Sequence, residues 1–310
     1  MLRTRSGLLL LAPRRGISEV IGGKALSSRW YAPTWSVAGG VLLNTPTLGA
    51  ELITNAADRE FSSDTGWWTK SLATISGGVA NCNGTGSGVY RSILSLNTWY
   101  TVEIDFAHTS GSGMGFYLGN SDQGFYYQPT TARLVRSGLS NTTAICGIYG
   151  GTSEVCTLDN ATLKQITASS LFATVNARLA NVNLIAPQIT SKQDGTESGI
   201  VLRLDSPINP QNFVVARLAS GANKVLISKC VGGVYTLLSN IAATYGTAKY
   251  FSAKINGSSI SIYYGTTDFG TLIATVTVSD ASIVNNTRHG LFSTYSCNQF
   301  AGTFSVVPYA

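Results

Sequence analysis

Charged residues make up only 12% of this 310-residue chain, about half the fraction usual in a soluble domain. That scarcity excludes helical bundles, coiled coils and acidic disorder, each of which depends on charged side chains. Two histidines and 15 carboxylates leave most metal and acid–base chemistries short of side chains. No His-Glu-x-x-His zinc motif and no Gly-x-Ser-x-Gly nucleophile elbow occurs. The glycine-rich run Gly84-Thr-Gly-Ser-Gly88 lacks the following Lys and helix of a phosphate loop and reads as a turn. Five cysteines include no Cys-x-x-Cys pair. No apolar run approaches the ~20 residues that span a bilayer.

What is abundant is glycine, at 33 residues, and tyrosine, at 14. From Glu51 onward, short alternating runs are separated by Gly, Asn and Ser clusters, the pattern of antiparallel strands joined by tight turns. In the run from Trp99 to Phe106, Tyr100, Val102, Ile104 and Phe106 share one face, while Trp99, Thr101, Glu103 and Asp105 share the other. Asn256-Gly257 between two alternating runs predicts a hairpin, because a type I′ turn needs positive φ at both central positions. The expected class is all-β: two antiparallel β-sandwiches in series behind an extended N-terminal arm.

The formal net charge of +6 is concentrated at one end. Arg3, Arg5, Arg14, Arg15, Lys24 and Arg29 face only Glu19 before residue 30, which leaves the remainder nearly neutral. The same segment carries Leu8, Leu9, Leu10 and Leu11, then Trp30, Tyr31 and Trp35. A purely electrostatic tail needs no such residues, so residues 1–49 read as an arm that docks into a protein groove. The leucine run is short for a signal peptide, and Pro13-Arg14-Arg15 stands where a small-residue cleavage site would fall. Among the cysteines, Cys146 and Cys156 flank Gly150-Gly151-Thr152. A hairpin there would set them opposite each other, either as a disulfide or as two small buried apolar residues.

The segment Glu51-Leu-Ile-Thr-Asn55, followed by Phe61-Ser-Ser-Asp-Thr-Gly-Trp67, resembles the opening of the carbohydrate-binding jelly rolls attached to bacterial xylanases and cellulases. Leu158-Asp-Asn-Ala-Thr-Leu163 resembles their closing strand, so the similarity covers about residues 50–167. The later runs Gly199-Ile-Val-Leu-Arg-Leu204, Lys224-Val-Leu-Ile227 and Gly290-Leu-Phe-Ser293 resemble laminin-G or concanavalin-like sandwiches, over about residues 168–310.

The first resemblance implies two kinds of site. Such modules often hold a structural calcium ion between opening and closing strands; Asp159 matches the closing-strand acid, and Glu60 is the nearest opening-strand candidate. Sugar binding by stacking needs exposed aromatic rings, for which Trp68, Tyr117, Tyr126 and Tyr127 are candidates. Trp67 matches the position that is core in those modules. Glu103-Ile104-Asp105 imitates the first two carboxylates of a jelly-roll glucanase, but the third should fall near Ala107 or His108, and neither is acidic. No catalytic residue is assigned.

These features lead to the expectation of a non-enzymatic bacteriophage virion protein of decoration, fibre or collar type. Its arm would bind other virion proteins, its sandwiches would contact host-surface glycan, and copies of the chain would associate within the assembly. The alternative is a secreted or cell-surface bacterial carbohydrate-binding protein.

Overall fold

The computed structural model defines residues 16–21, 25–119, 130–219 and 223–309. Among these residues the chain folds into four antiparallel sheets, paired face to face as two sandwiches. The helical elements among them are single turns, such as Ala56–Arg59 and Ala281–Val284, and none is long and apolar enough to cross a membrane.

The first sandwich stacks a six-stranded sheet on a four-stranded one. The larger sheet runs Ala132–Ser140, Thr98–Ser110, Val155–Ile166, Val79–Asn83, Ala73–Ser76, with Leu48–Glu51 also pairing onto Val155–Ile166. The smaller runs Met114–Leu118, Ile145–Gly150, Gly88–Ser92, Thr69–Ser71. Alternation sends Val102, Ile104 and Phe106 from one sheet and Met114, Phe116, Leu118 and Ile148 from the other into a shared core.

The second sandwich is larger. One sheet runs Trp30–Tyr31, Phe172–Asn176, Arg288–Ser293, Ser198–Leu204, Phe213–Leu218, Lys224–Val231, Val234–Ala242. The other is nine-stranded and centres on Gln299–Pro308, which pairs with Val182–Ile185, Ile17–Ile21, Gln188–Ser191 and Val41–Asn44. The expected hairpin forms between Tyr250–Asn256 and Ser259–Gly265, but Asn256 pairs with Ser259, so the two-residue loop is Gly257-Ser258. Only Gly257, at φ +55°, is positive there, the pattern of a type II′ rather than a type I′ turn.

This topology corrects the N-terminal arm. Ile17–Ile21, Trp30–Tyr31, Trp35–Ala38 and Val41–Asn44 are strands of the second sandwich, and Trp30 and Trp35, assigned to a foreign groove, lie in the chain's own core. Trp30 stands edge-on to Phe304 at 4.8 Å, and Trp35 lies 5.7 Å from Phe300. Tyr31 pairs with Thr174 in the other sheet. Glu19 accepts hydrogen bonds from the Ser27 backbone and hydroxyl and from the Trp30 indole, so this acid is a local clamp. Arg3, Arg5, Leu8, Leu9, Leu10, Leu11, Arg14 and Arg15 lie outside the described residues.

The two sandwiches meet through the outer faces of two sheets. Trp99, Leu139 and Ile166 pack against Leu171, Phe172, Val201, Phe213, Val215 and Phe292. Trp99 and Thr101, on the face opposite Tyr100 and Val102, are therefore buried, while Glu103 and Asp105 further along that face reach water. A polar seam runs beside this apolar patch. Arg217 Nε lies 2.5 Å from Glu197 Oε2, both fully buried, and its guanidinium sits 5.4 Å above the Trp99 ring. The Ser137 amide donates to the Gly195 carbonyl, and Ser137 and Thr294 share a hydroxyl hydrogen bond. Gly195 adopts φ +81°, and a Cβ there would meet the Val135 carbonyl oxygen at 1.8 Å, so only glycine lets the two backbones touch.

His289, the second residue of the strand Arg288–Ser293, is fully buried. Its Nε2 donates to the Leu179 carbonyl at 3.0 Å while Nδ1 accepts from the Arg203 amide, which fixes the neutral tautomer. Burial pushes its pKa down to about 4. The folded value is below the unfolded one, so the neutral ring's contribution is present above about pH 6.5 and is lost as pH falls toward 4. Urea midpoints taken between pH 7 and 4 are expected to show up to about 3 kcal/mol of stability lost to this group. The His289→Gln variant should show a flatter profile over that window; an unchanged profile would show that His289 does not drive it.

Candidate functional site

The smaller sheet of the first sandwich carries the most organised aromatic surface among the described residues. Three of its strands contain the same tripeptide pattern of glycine, apolar residue and tyrosine: Gly115-Phe116-Tyr117, Gly147-Ile148-Tyr149 and Gly88-Val89-Tyr90. The period of two sends Phe116, Ile148 and Val89 into the core and places all three tyrosines on the outer face. Register then sets Tyr117 opposite Gly147 and Gly147 opposite Tyr90, with Gly115, Tyr149 and Gly88 forming the next row. Tyr149 is thus flanked by glycine on both neighbouring strands, and Gly147 separates Tyr117 from Tyr90, whose other neighbour is Thr69.

That checkerboard lets the rings lie down on the sheet. A Cβ built on Gly147 would stand 2.3 Å from Tyr149 Cε2 and 2.7 Å from Cζ, so the Tyr149 ring covers the backbone of Gly147. Tyr149 also stacks with Tyr90, ring centroids 5.9 Å apart at 29°. The Thr143 hydroxyl donates to the Tyr117 hydroxyl at 3.3 Å. Burial, with Tyr90, Cys146 and Tyr117 close by, pushes the Tyr149 hydroxyl up to about 12, so it stays protonated and able to donate.

A depression of about 480 Å³ adjoins this platform at Tyr149, lined by Thr85, Gly86, Ser112, Gly150 and Thr152. Behind it lies the buried carboxylate of Glu154, which accepts from the Gly113 amide at 2.6 Å and stands 2.9 Å from His108 Nδ1. Glu154 fixes the loops that shape the depression and is closed to solvent. Hydroxyls and peptide groups, with one aromatic wall, are what the depression offers a ligand.

Of the stacking candidates named from the sequence, Tyr117 stands on this face, half-buried. Trp68 does not: it is 2% exposed, stacked on Phe61 at 5.8 Å, with its indole donating to the Asp58 carbonyl. The partly exposed tryptophan is Trp67, edge-on to Trp68 and carrying the Arg91 guanidinium 5.4 Å from its ring centre. The phase of this pair is thus the reverse of that expected, because the strand after it begins with Thr69 and only Trp68 points inward. Tyr126 and Tyr127 lie outside the described residues. Tyr90 and Tyr149 were not singled out from the sequence, where Gly-x-Tyr occurs five times and only strand order shows which three stretches are neighbours.

The remaining candidates take structural positions. Glu103 and Asp105 both bind Arg133 across the ladder, at 3.2 and 2.8 Å. Partial desolvation would raise Asp105, but hydrogen bonds from Arg133 and Asn160 outweigh it and hold this carboxyl below its usual range. A general acid needs the opposite shift. Glu60 closes the helical turn Ala56–Arg59, and Asp159 accepts from the Asn160 amide opposite Asp105. Among the described residues no group of three or more His, Cys, Asp or Glu side chains stands close enough to hold a metal ion. Cys146 and Cys156 belong to different sheets, because the chain crosses between the layers at Gly150–Glu154; the residue opposite Cys156 is Cys82.

Among solved structures, the chain is similar to the carbohydrate binding module CBM66 from Bacillus subtilis. The similarity has 15% sequence identity and a TM-score of 0.31, over 47% of this chain and 83% of that one. No family model and no curated protein matches the sequence.

Proposed function

We propose that this protein is a non-catalytic carbohydrate-binding protein whose ligand lies on the tyrosine face of the first sandwich. The observation that carries this reading is the Gly-x-Tyr checkerboard, which presents Tyr90, Tyr117 and Tyr149 side by side on three neighbouring strands. A pyranose ring has apolar C–H faces and a polar rim. Tyrosine rings lying on a sheet meet the C–H faces, and their hydroxyls meet the rim, with little side-chain entropy lost. Ser112, Thr85 and Thr152 would then bond the ligand's hydroxyls where it enters the depression. The arginine-paired Glu103 and Asp105 support the absence of glycosidase chemistry at the one carboxylate pair that suggested it.

The display of glycan-binding sandwiches, as on a virion or a cell surface, is compatible with this site. The anchoring part of the virion expectation rested partly on Trp30 and Trp35, and the second sandwich buries both.

Titration calorimetry or affinity electrophoresis against soluble neutral polysaccharides tests the reading. Tyr149→Ala should weaken binding by about 10- to 30-fold, the effect of losing a stacking anchor worth about 1.5–2 kcal/mol, while the melting temperature moves little. Gly147→Ala should weaken it comparably although no aromatic is removed, because the added methyl group occupies the Tyr149 ring position. Binding that survives Tyr149→Ala, Tyr117→Ala and Tyr90→Ala unchanged would exclude this face.

A further inference from the structure

We propose that Cys82 and Cys156 form a cross-strand disulfide when the protein meets an oxidising thiol–disulfide environment. The two residues are directly opposed in the ladder between Val79–Asn83 and Val155–Ile166, both buried and both in the core of the first sandwich. Two residues along, the Gly84 amide donates to the Glu154 carbonyl, which makes the cysteine rung one of the hydrogen-bonded kind. Opposed Cα atoms on such a rung stand about 5.5 Å apart, inside the range of about 4.4–6.8 Å that a disulfide spans. Both side chains enter the same core from the same face of the sheet. Cβ atoms on such a rung stand about 5.5 Å apart, against the ~3.5–4.5 Å that a disulfide takes, so closing the bond draws the two strands together by about 1 Å. Cys146 and Cys230 lie on other sheets.

The pairing has a structural consequence. Val79–Asn83 and Ala73–Ser76 form a hairpin at the end of the six-stranded sheet. A bond at Cys82 would fasten it to the strand that follows Glu154, the carboxylate that fixes the loops around the depression. It would close a loop of about 74 residues, long enough to restrict the unfolded chain strongly. This inference is independent of the glycan reading.

The chemistry needs an oxidant, here a small-molecule disulfide such as oxidised glutathione. One cysteine thiolate, its proton released to solvent, attacks a glutathione sulfur and expels one glutathione thiolate. The second cysteine thiolate, likewise deprotonated, attacks the resulting mixed disulfide and expels the other glutathione. The protein loses two protons and two electrons, and oxidised glutathione is reduced to two thiols. The Cys82 contact and burial push the Cys156 thiol up, so thiolate is scarce in the closed fold and exchange runs during folding or when the edge hairpin opens.

The experiment refolds the full-length protein in glutathione buffers from fully reduced to strongly oxidising, then denatures it and labels it with N-ethylmaleimide. All five cysteines are unbonded at the reducing end. The expected result at the oxidising end is two fewer labels, a peptide joining Cys82 to Cys156, and a melting temperature raised by about 5 °C relative to the reduced protein. Cys82→Ser should abolish that peptide and the shift. Five labelled cysteines throughout, or a linkage other than Cys82 to Cys156, would overturn the proposal.

Discussion

Arg217→Met is expected to destabilise the protein by about 3–5 kcal/mol, because it strands a buried carboxylate at the seam between the two sandwiches. Glu197 is fully buried, and the guanidinium of Arg217 is its hydrogen-bonded partner at 2.5 Å. Burial pushes the Glu197 carboxyl up, opposed by the nearby charges of Arg217, Arg136 and Lys192. Removing Arg217 leaves the desolvation in place and takes away the largest opposing charge, so the folded pKa rises further. A raised carboxyl favours the fold below its unfolded value and loses that contribution as pH rises through the folded one. The damage should therefore be greatest at neutral pH and above, and should shrink in acid. Adding Glu197→Gln removes the carboxylate but takes from the buried Arg136 its counter-charge, so the double variant should recover only part of the loss. Chemical denaturation of the single and double variants at pH 5 and pH 8 checks both points; equal destabilisation at the two pH values would contradict them.

Trp99→Ala should remove about 3–5 kcal/mol and separate the unfolding of the two sandwiches. Trp99 belongs to the first sandwich, yet its ring packs on Phe292 at 5.1 Å and its indole donates to the Tyr235 hydroxyl at 2.9 Å, both in the second. It also lies beneath Arg217. Truncation would open a cavity at the contact that joins the bodies and leave the Tyr235 hydroxyl without this donor. Calorimetry should show one cooperative transition for the native chain and two for the variant. Gly195→Ala offers an independent route to the same outcome, since its Cβ would collide with the Val135 carbonyl from across the seam. If either variant still unfolded in a single transition, with the lost stability shared equally, the seam would not be where the sandwiches couple.

Much of the architecture was legible from local pattern. Alternation along Trp99–Phe106 correctly marked Tyr100, Val102, Ile104 and Phe106 as core, and Asn256-Gly257 marked its hairpin. The errors lie where a distant segment supplies the partner. Trp30 and Trp35 looked like residues awaiting another protein because their neighbours, Phe304 and Phe300, come from the far end of the chain. Trp99 fell on the face opposite Tyr100, and its burial was not foreseen because period-two alternation describes one sheet and says nothing of a second body against its outer face. Cys146 and Cys156 looked paired because a simple hairpin was assumed where the chain changes sheet.

The candidate site was half legible for the same reason. Each Gly-x-Tyr stretch can be read alone, and Tyr117 was placed outward from its phase to Phe116. That the three stretches are neighbours follows only from the strand order, in which Ile145–Gly150 lies between Met114–Leu118 and Gly88–Ser92. Topology, rather than any single residue, assembles the platform.

The most direct test of a glycan-binding tyrosine face is to map backbone amide shifts of the isotope-labelled full-length protein as neutral oligosaccharides of gluco-, xylo- and manno-type are added. Binding at the proposed site predicts concentration-dependent shifts centred on Gly88, Gly115 and Gly147 and their tyrosines, extending to Gly150 and Thr152. Shifts centred elsewhere on the molecule, or none with any of the three sugar types, would contradict it.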